Sequence, residues 1–154
     1  MNSFPPAFIT FLASFLIWFM IGAMVYLWLF HGRITNRQAL HACLAAIGAL
    51  TVSEVIKTLF PTTRPFMENG LPPLTITIPS DGAFPSAHAA TSFGLATGLW
   101  VHDKKLGTGF IASAVLVGWG RMLSNVHYFA DVFGGAFLGI LVAFALDRLR
   151  TTST

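Results

Sequence analysis

Apolar residues in this chain come in long blocks separated by short polar stretches. From Phe8 to Phe30 the chain runs 23 residues without a charge. At 1.5 Å per residue that block makes a helix about 34 Å long, enough to cross a hydrocarbon core of about 30 Å. A second block, Ala39 to Phe60, carries Glu54 and Lys57 near its end and gives way to a polar, Pro-rich loop over residues 61–84. Three shorter blocks follow, Ser86 to Val101, Leu106 to Leu123 and Tyr128 to Leu146. The pattern predicts an all-α integral membrane helical bundle with about five transmembrane helices, at 8–30, 39–60, 86–101, 106–123 and 128–146, in a single domain over residues 1–154. The first block has no Lys or Arg before it and is longer than the apolar core of a signal peptide, so it is expected to be retained as a span.

Composition agrees with the pattern: 55% of residues are hydrophobic and only 10% charged, far from the balance of a soluble domain. The net charge of +3 does not point to nucleic acid, because no basic run with interleaved aromatics is present. The single cysteine, Cys43, has no partner for an intrachain disulfide and reads as a small buried hydrophobe. Arg33 and Arg37 follow the first span, Lys104 and Lys105 the third, and Arg148 and Arg150 the fifth. These ends share one face, which the enrichment of Lys and Arg in short cytoplasmic loops marks as cytoplasmic. The N-terminus is therefore expected outside and the C-terminus inside. Lys57, Arg64 and Arg121 are left at the outer face, where this trend does not place them. Gly94 and Gly98, and again Gly135 and Gly139, have the spacing that permits close backbone approach in membranes.

The outer face also collects the residues able to do chemistry. Lys57 reads either as a snorkelling side chain paired with Glu54 or as a functional cation. Ser86 precedes an apolar helical run, so it is an N-cap by position, at a helix start whose free N–H groups make an anion site. His88 stands over that site and is suited to donate a proton to a leaving oxygen. His127 and Asp131 have the spacing of one helix face, and a carboxylate bonded to one imidazole nitrogen leaves the other free to attack. The pair could instead be two metal ligands. A metal-dependent phosphatase would need a carboxylate cluster, though, and the outer side offers only Asp131, Glu68, Asp81 and the deeper Glu54. With three cations to neutralise a phosphate, no metal or other cofactor is expected. His31, His41 and His102 read as ordinary interfacial histidines.

Together, Lys57 with Arg64-Pro65, Pro85-Ser86-x-His88, and Arg121 with His127 and Asp131 resemble the three-part signature of the type 2 phosphatidic acid phosphatase (PAP2) superfamily. The resemblance covers spans two to five. It implies that Lys57, Arg64 and Arg121 bind phosphoryl oxygens, assisted by Ser86 and the backbone N–H of Ala87. It also implies His127 as a nucleophile forming a phosphohistidine, Asp131 as its orienting partner, and His88 as general acid and then base. Two positions depart from the family pattern: Ala87 stands where glycine is usual, and Gly120 where serine commonly precedes the arginine. Many membrane members have six spans with the first motif ending the third; here it ends the second. The expected activity is metal-independent hydrolysis of a lipid phosphate or diphosphate in a bacterial inner membrane, with the site facing the periplasm or exterior and undecaprenyl diphosphate as the leading substrate. Alternatives are a lipid phosphotransferase, a phosphatase of phosphatidylglycerol phosphate, phosphatidate or lipid A, and a non-catalytic lipid or anion transporter.

Overall fold

A computed structural model of the chain describes residues 4–151. Helix α1 (Pro6–Thr10) and helix α2 (Leu16–Leu29) are joined by a π-helical turn, Phe11–Phe15, into one rod. Then come α3 (Asn36–Leu59), the short α4 (Pro65–Asn69), α5 (Ala87–Trp100), α6 (Lys104–Leu123) and α7 (Phe129–Thr151). Among the described residues, the helices long and apolar enough to cross a membrane are Pro6–Leu29, Asn36–Leu59, Lys104–Leu123 and Phe129–Leu149. The expected third span differs from these. Helix α5 has 14 residues and a length of about 21 Å, and most of it is buried, with no residue exposed. It is the inner helix around which α3, α6 and α7 pack.

Local chemistry sets the helix ends. Thr35 and Gln38 form a capping box at the start of α3: the Thr35 hydroxyl accepts from the Gln38 N–H at 3.3 Å, and Gln38 Oε1 accepts from the Thr35 N–H at 2.9 Å. Gly32, at φ +60°, turns the chain between α2 and α3. Asp103 caps α6 by accepting from the Leu106 N–H at 3.0 Å, and its carboxylate pairs with Arg33 at 2.9 Å. That ion pair joins the α2–α3 turn to the α5–α6 turn, so these two basic ends do lie together.

Small residues let the helices approach. A Cβ on Gly98 would stand 2.7 Å from the Ala42 Cα of α3, and one on Gly94 would stand 2.8 Å from the Ala45 carbonyl oxygen. On α7, Gly135 and Gly139 abut the α5 backbone at Ser86 and Ala90. Both glycine pairs therefore mark close contacts, one on each side of α5. Outside this core, Trp18, Phe19, Phe129, Phe133 and Phe137 are exposed, as expected of side chains that meet lipid.

Gly98→Ala should lower stability by about 1–3 kcal/mol, because the methyl meets backbone that cannot rotate away. Gly22→Ala, with nothing within 4 Å of the added carbon, should be neutral or gain up to about 1 kcal/mol. Thermal denaturation of both variants in detergent checks the pair, and equal behaviour would refute the packing role of Gly98.

Candidate active site

The site begins where α3 ends. Lys57 is buried, and its ammonium donates to Glu54 at 2.9 Å and to Asp81 at 2.7 Å. The simple Glu54 pairing is thus present, but Asp81 of the long loop is a second partner. Arg64, 1% exposed, is the most heavily bonded side chain nearby. Its Nε donates to the Asp81 carbonyl at 2.9 Å; Nη1 donates to the Val126 carbonyl at 3.0 Å and to His127 Nε2 at 3.3 Å; Nη2 donates to Asp81 Oδ1 at 2.9 Å and to the Gly82 carbonyl at 3.0 Å.

Those bonds determine the state of His127. A guanidinium only donates, so Nε2 of His127 is the accepting nitrogen and Nδ1 carries the proton. Nδ1 faces Asp131 Oδ2 across 3.5 Å, long for a hydrogen bond. Asp131 Oδ2 accepts instead from the Tyr128 N–H at 2.8 Å. The pair is not two residues of one helix, because His127 precedes α7 and only Asp131 lies in its first turn. Burial pushes the His127 imidazole down to about 4; the Asp131 contact opposes this, and Arg121 and Arg64 add to it. The ring is neutral at neutral pH, with its lone pair on Nε2.

Ser86 begins α5 as expected but makes no side-chain cap bond. Its N–H donates to the Asp131 carbonyl at 2.9 Å, tying the starts of α5 and α7 together. Ala87 occupies the first turn of α5 and lines the site, so an N–H is retained in the position of the usual glycine. Arg121, near the end of α6, donates through Nη1 to the Ala13 carbonyl at 3.1 Å. Ala13 lies in the π-helical turn, a rare feature that occurs frequently at functional sites. Gly120 makes this contact possible: a Cβ there would stand 2.6 Å from Leu12 Cβ and 2.7 Å from the Ala13 nitrogen. Serine at that position does not fit against this turn, which accounts for the departure from the family pattern.

The loop over residues 61–84 is docked to the turn that holds His127. The Phe66 N–H donates to the Asn125 carbonyl at 3.1 Å, the Leu74 N–H to the Ser124 carbonyl at 2.9 Å, and the side-chain amides of Asn69 and Asn125 exchange bonds at 2.8 and 3.0 Å. Asn125 itself sits at φ +63°, a conformation that asparagine tolerates better than most residues.

Lys57, Arg64, Ala87, His88, Arg121 and His127 line one cavity of about 720 Å³. Ser86 is fully buried and Asp131 stands behind His127, so every predicted site residue is brought to one end of the bundle. Among the described residues, the buried side-chain polar atoms without a hydrogen-bond partner are Ser86 Oγ, Arg121 Nε and His127 Nδ1. All three belong to the predicted set. The Nδ1–H of His127 is turned toward Asp131, whereas the Ser86 hydroxyl and the Arg121 guanidinium keep donors that suit an anion with several acceptor oxygens. In the sequence Asp81 reads only as one of the carboxylates on the outer side. Its pairing with Lys57 and Arg64 depends on how the loop folds back, which local sequence does not encode.

The PAP2 superfamily profile matches residues 38–154. The chain belongs to the PAP2 superfamily. With this membership comes its class as a phosphatase, a hydrolase of phosphoric monoesters or diphosphates. This PAP2 chain is 24% identical over 96% of its length to undecaprenyl-diphosphatase BcrC of Bacillus subtilis, spanning 76% of that protein. It is 30% identical over 86% of its length to bacitracin transport permease protein BcrC of Bacillus licheniformis, spanning 66% of it. The crystal structure of Aquifex aeolicus LpxE superposes with a TM-score of 0.76 and 25% identity, covering 94% of this chain and 86% of LpxE.

Burial alone would raise the Asp81 carboxyl, but the Lys57 bond and the charges of Lys57 and Arg64 outweigh it and hold the group below the usual carboxylate range. Its ion pairs therefore contribute fully above about pH 4 and fade as pH falls through the depressed folded-state value. Asp81→Asn should lower stability by about 1–2 kcal/mol at neutral pH, less than for a fully buried pair because Asp81 is half exposed. Inorganic phosphate or vanadate should restore more of the Tm in the variant than in the parent, since the anion replaces the missing charge. Thermal denaturation with and without anion tests this, and identical Tm values for variant and parent without anion would remove Asp81 as counter-ion.

Proposed function

We propose that the protein is a metal-independent phosphatase of lipid phosphates and diphosphates, working through a phosphohistidine on His127, with a polyprenyl diphosphate such as undecaprenyl diphosphate as substrate. The observation that carries this is the shape of the cavity. From Lys57, Arg64, Arg121 and His127 it continues between α2 and α3 past Ile17, Ile21, Met24, Cys43, Ala46 and Leu50. Cys43 to Lys57 is 14 residues of helix, so the apolar groove runs about 21 Å from the cationic end. Trp18 and Ile47 line it and are also 66% and 60% exposed. A groove bounded by such residues opens sideways toward lipid, which lets a tail enter from the bilayer while its phosphate meets the cations. The name undecaprenyl-diphosphatase of the Bacillus subtilis relative favours a long prenyl tail.

In this reading Lys57, Arg64, Arg121, Ser86 and the Ala87 N–H hold the phosphoryl oxygens and neutralise the charge that builds up during transfer. His127 Nε2 attacks phosphorus while the bond to the leaving oxygen breaks. Burial and the nearby cations push the His88 imidazole down to about 3 in the free protein, so His88 takes up a proton with the incoming phosphate, whose charge favours the imidazolium, and gives it to that oxygen. Arg64 Nη1, bonded to Nε2 in the free protein, turns to a phosphoryl oxygen as the lone pair is used. Asp131 stabilises the proton on Nδ1. Water then attacks the phosphorus of the phosphohistidine, giving its proton to His88, and phosphate leaves as the P–N bond breaks. The separation of Arg33, Arg37, Lys104, Lys105 and Arg148 from the site end supports an outward-facing site in a bacterial plasma membrane.

His127→Ala should cut phosphate release from undecaprenyl diphosphate at least about a thousandfold, with chelator present throughout and folding preserved. This test also separates hydrolysis from the transport named in the Bacillus licheniformis relative. Because the unprotonated ring attacks, kcat/KM should hold through mildly acid pH and fall as pH drops below about 4. Undiminished release by the variant, or an acid limb near the ordinary histidine value, would defeat the assignment. Ala46→Trp, placed in the groove, should raise KM for long-chain lipid diphosphates at least about tenfold while leaving hydrolysis of a short water-soluble diphosphate within about twofold. An equal loss on both substrates would show that the groove does not carry the tail.

A further inference from the structure

The end of the bundle opposite the phosphate site holds a second cluster of side chains. His41 near the start of α3, His102 in the α5–α6 turn and Asp147 near the end of α7 each present one ligand atom, and these atoms lie within 4.8 Å of one another. The same three segments carry Lys57, His88 and Asp131 at their other ends. Sixteen residues separate His41 from Lys57, and Asp131 from Asp147, so the two clusters are about 24 Å apart.

The geometry of His41 is specific. It is fully buried, not interfacial as its sequence context implies. Its Nε2 lies 3.0 Å from the Ala143 carbonyl. A carbonyl only accepts, so Nε2 carries the proton and Nδ1 keeps its lone pair. Nδ1 faces His102 Nε2 at 2.8 Å. An imidazole held by a carbonyl behind it, with its bare nitrogen toward a second imidazole and a carboxylate, is oriented as metal-ligating histidines are by their outer hydrogen bonds.

We propose that His41 Nδ1, His102 Nε2 and a carboxylate oxygen of Asp147 form a binding site for a divalent cation of the zinc class. Two imidazoles and one carboxylate are the donors such a borderline cation prefers over calcium or magnesium. On binding, the Nε2 proton of His102 is lost from that nitrogen and Nδ1 takes one up, so the ring coordinates as neutral imidazole. With metal–nitrogen bonds of about 2.0–2.1 Å at a tetrahedral angle, the two nitrogens stand about 3.3 Å apart. The rings therefore part by about 0.5 Å, and a fourth position remains for water. His102 and Asp147 are half-buried, which gives the ion a way in. The Arg33–Asp103 ion pair at 2.9 Å already braces the residue next to His102. The cation would clamp α3, α7 and the α5–α6 turn together, far from the reacting phosphate and independent of the metal-free chemistry there.

The test uses tag-free full-length protein in detergent, stripped with chelator and then given zinc chloride or cobalt chloride. About one zinc per chain should remain after desalting, cobalt should give the visible absorption of a tetrahedral site, and zinc about a hundredfold above Kd should raise Tm by about 5 °C. His102→Gln and Asp147→Asn, chosen because truncating the buried His41 risks unfolding, should each weaken zinc affinity at least about tenfold. His127→Ala should retain zinc, which separates this site from the catalytic histidines. No retained zinc together with no Tm response overturns the proposal, and so does zinc that binds both cluster variants as it binds the parent.

Discussion

The structure of the site depends on one buried charge. Arg64 is 1% exposed, and a guanidinium there is tolerated only if its donors are all engaged. Its five N–H groups reach the Asp81 carbonyl and carboxylate, the Gly82 and Val126 carbonyls, and His127. The accepting groups come from two segments far apart in sequence, so satisfying this one cation holds the long loop against the turn between α6 and α7. The same bonds make Nε2 the unprotonated nitrogen of His127. Loop placement, counter-ion position and histidine tautomer are thus consequences of one desolvated side chain.

Close helix packing is the second constraint. Gly94 and Gly98 let α5 lie against α3, while Gly135 and Gly139 let α7 lie against α5. Because these helices are nearly in backbone contact, residues at both of their ends are gathered into clusters. Lys57, His88 and Asp131 meet at one end, and His41, His102 and Asp147 meet at the other. A similar close approach between Gly120 and the π-helical turn aims Arg121 into the site through its bond to Ala13. The weaker packing is between α2 and α3, and there the apolar groove opens.

The helices and the grouping of the candidate site residues are legible in the sequence because uncharged blocks of membrane length admit few alternatives and the motif spacings are distinctive. Boundaries shifted by a few residues, with α7 continuing to Thr151 instead of ending near Leu146. The short third block is α5, an inner helix packed among α3, α6 and α7, and hydropathy cannot distinguish a side chain facing lipid from one facing another helix. Ser86 was foreseen at the helix start, but its hydroxyl does not cap. The surroundings of Asp81 and His41 come from residues brought near by folding.

Sequence alone determined that the chain is a helical membrane bundle, that its cations divide between two ends, and which cations, histidines and carboxylate make up the candidate site. These follow from hydropathy over lengths set by the bilayer and from side-chain chemistry at short spacing. Tertiary structure alone decided that Asp81 pairs with both Lys57 and Arg64, that His127 presents Nε2, that a π-helical turn receives Arg121 against Gly120, and that His41 meets His102 and Asp147. Each of these is a contact between segments distant in the chain, and such contacts are set by how helices and loops pack, which no local pattern of residues records.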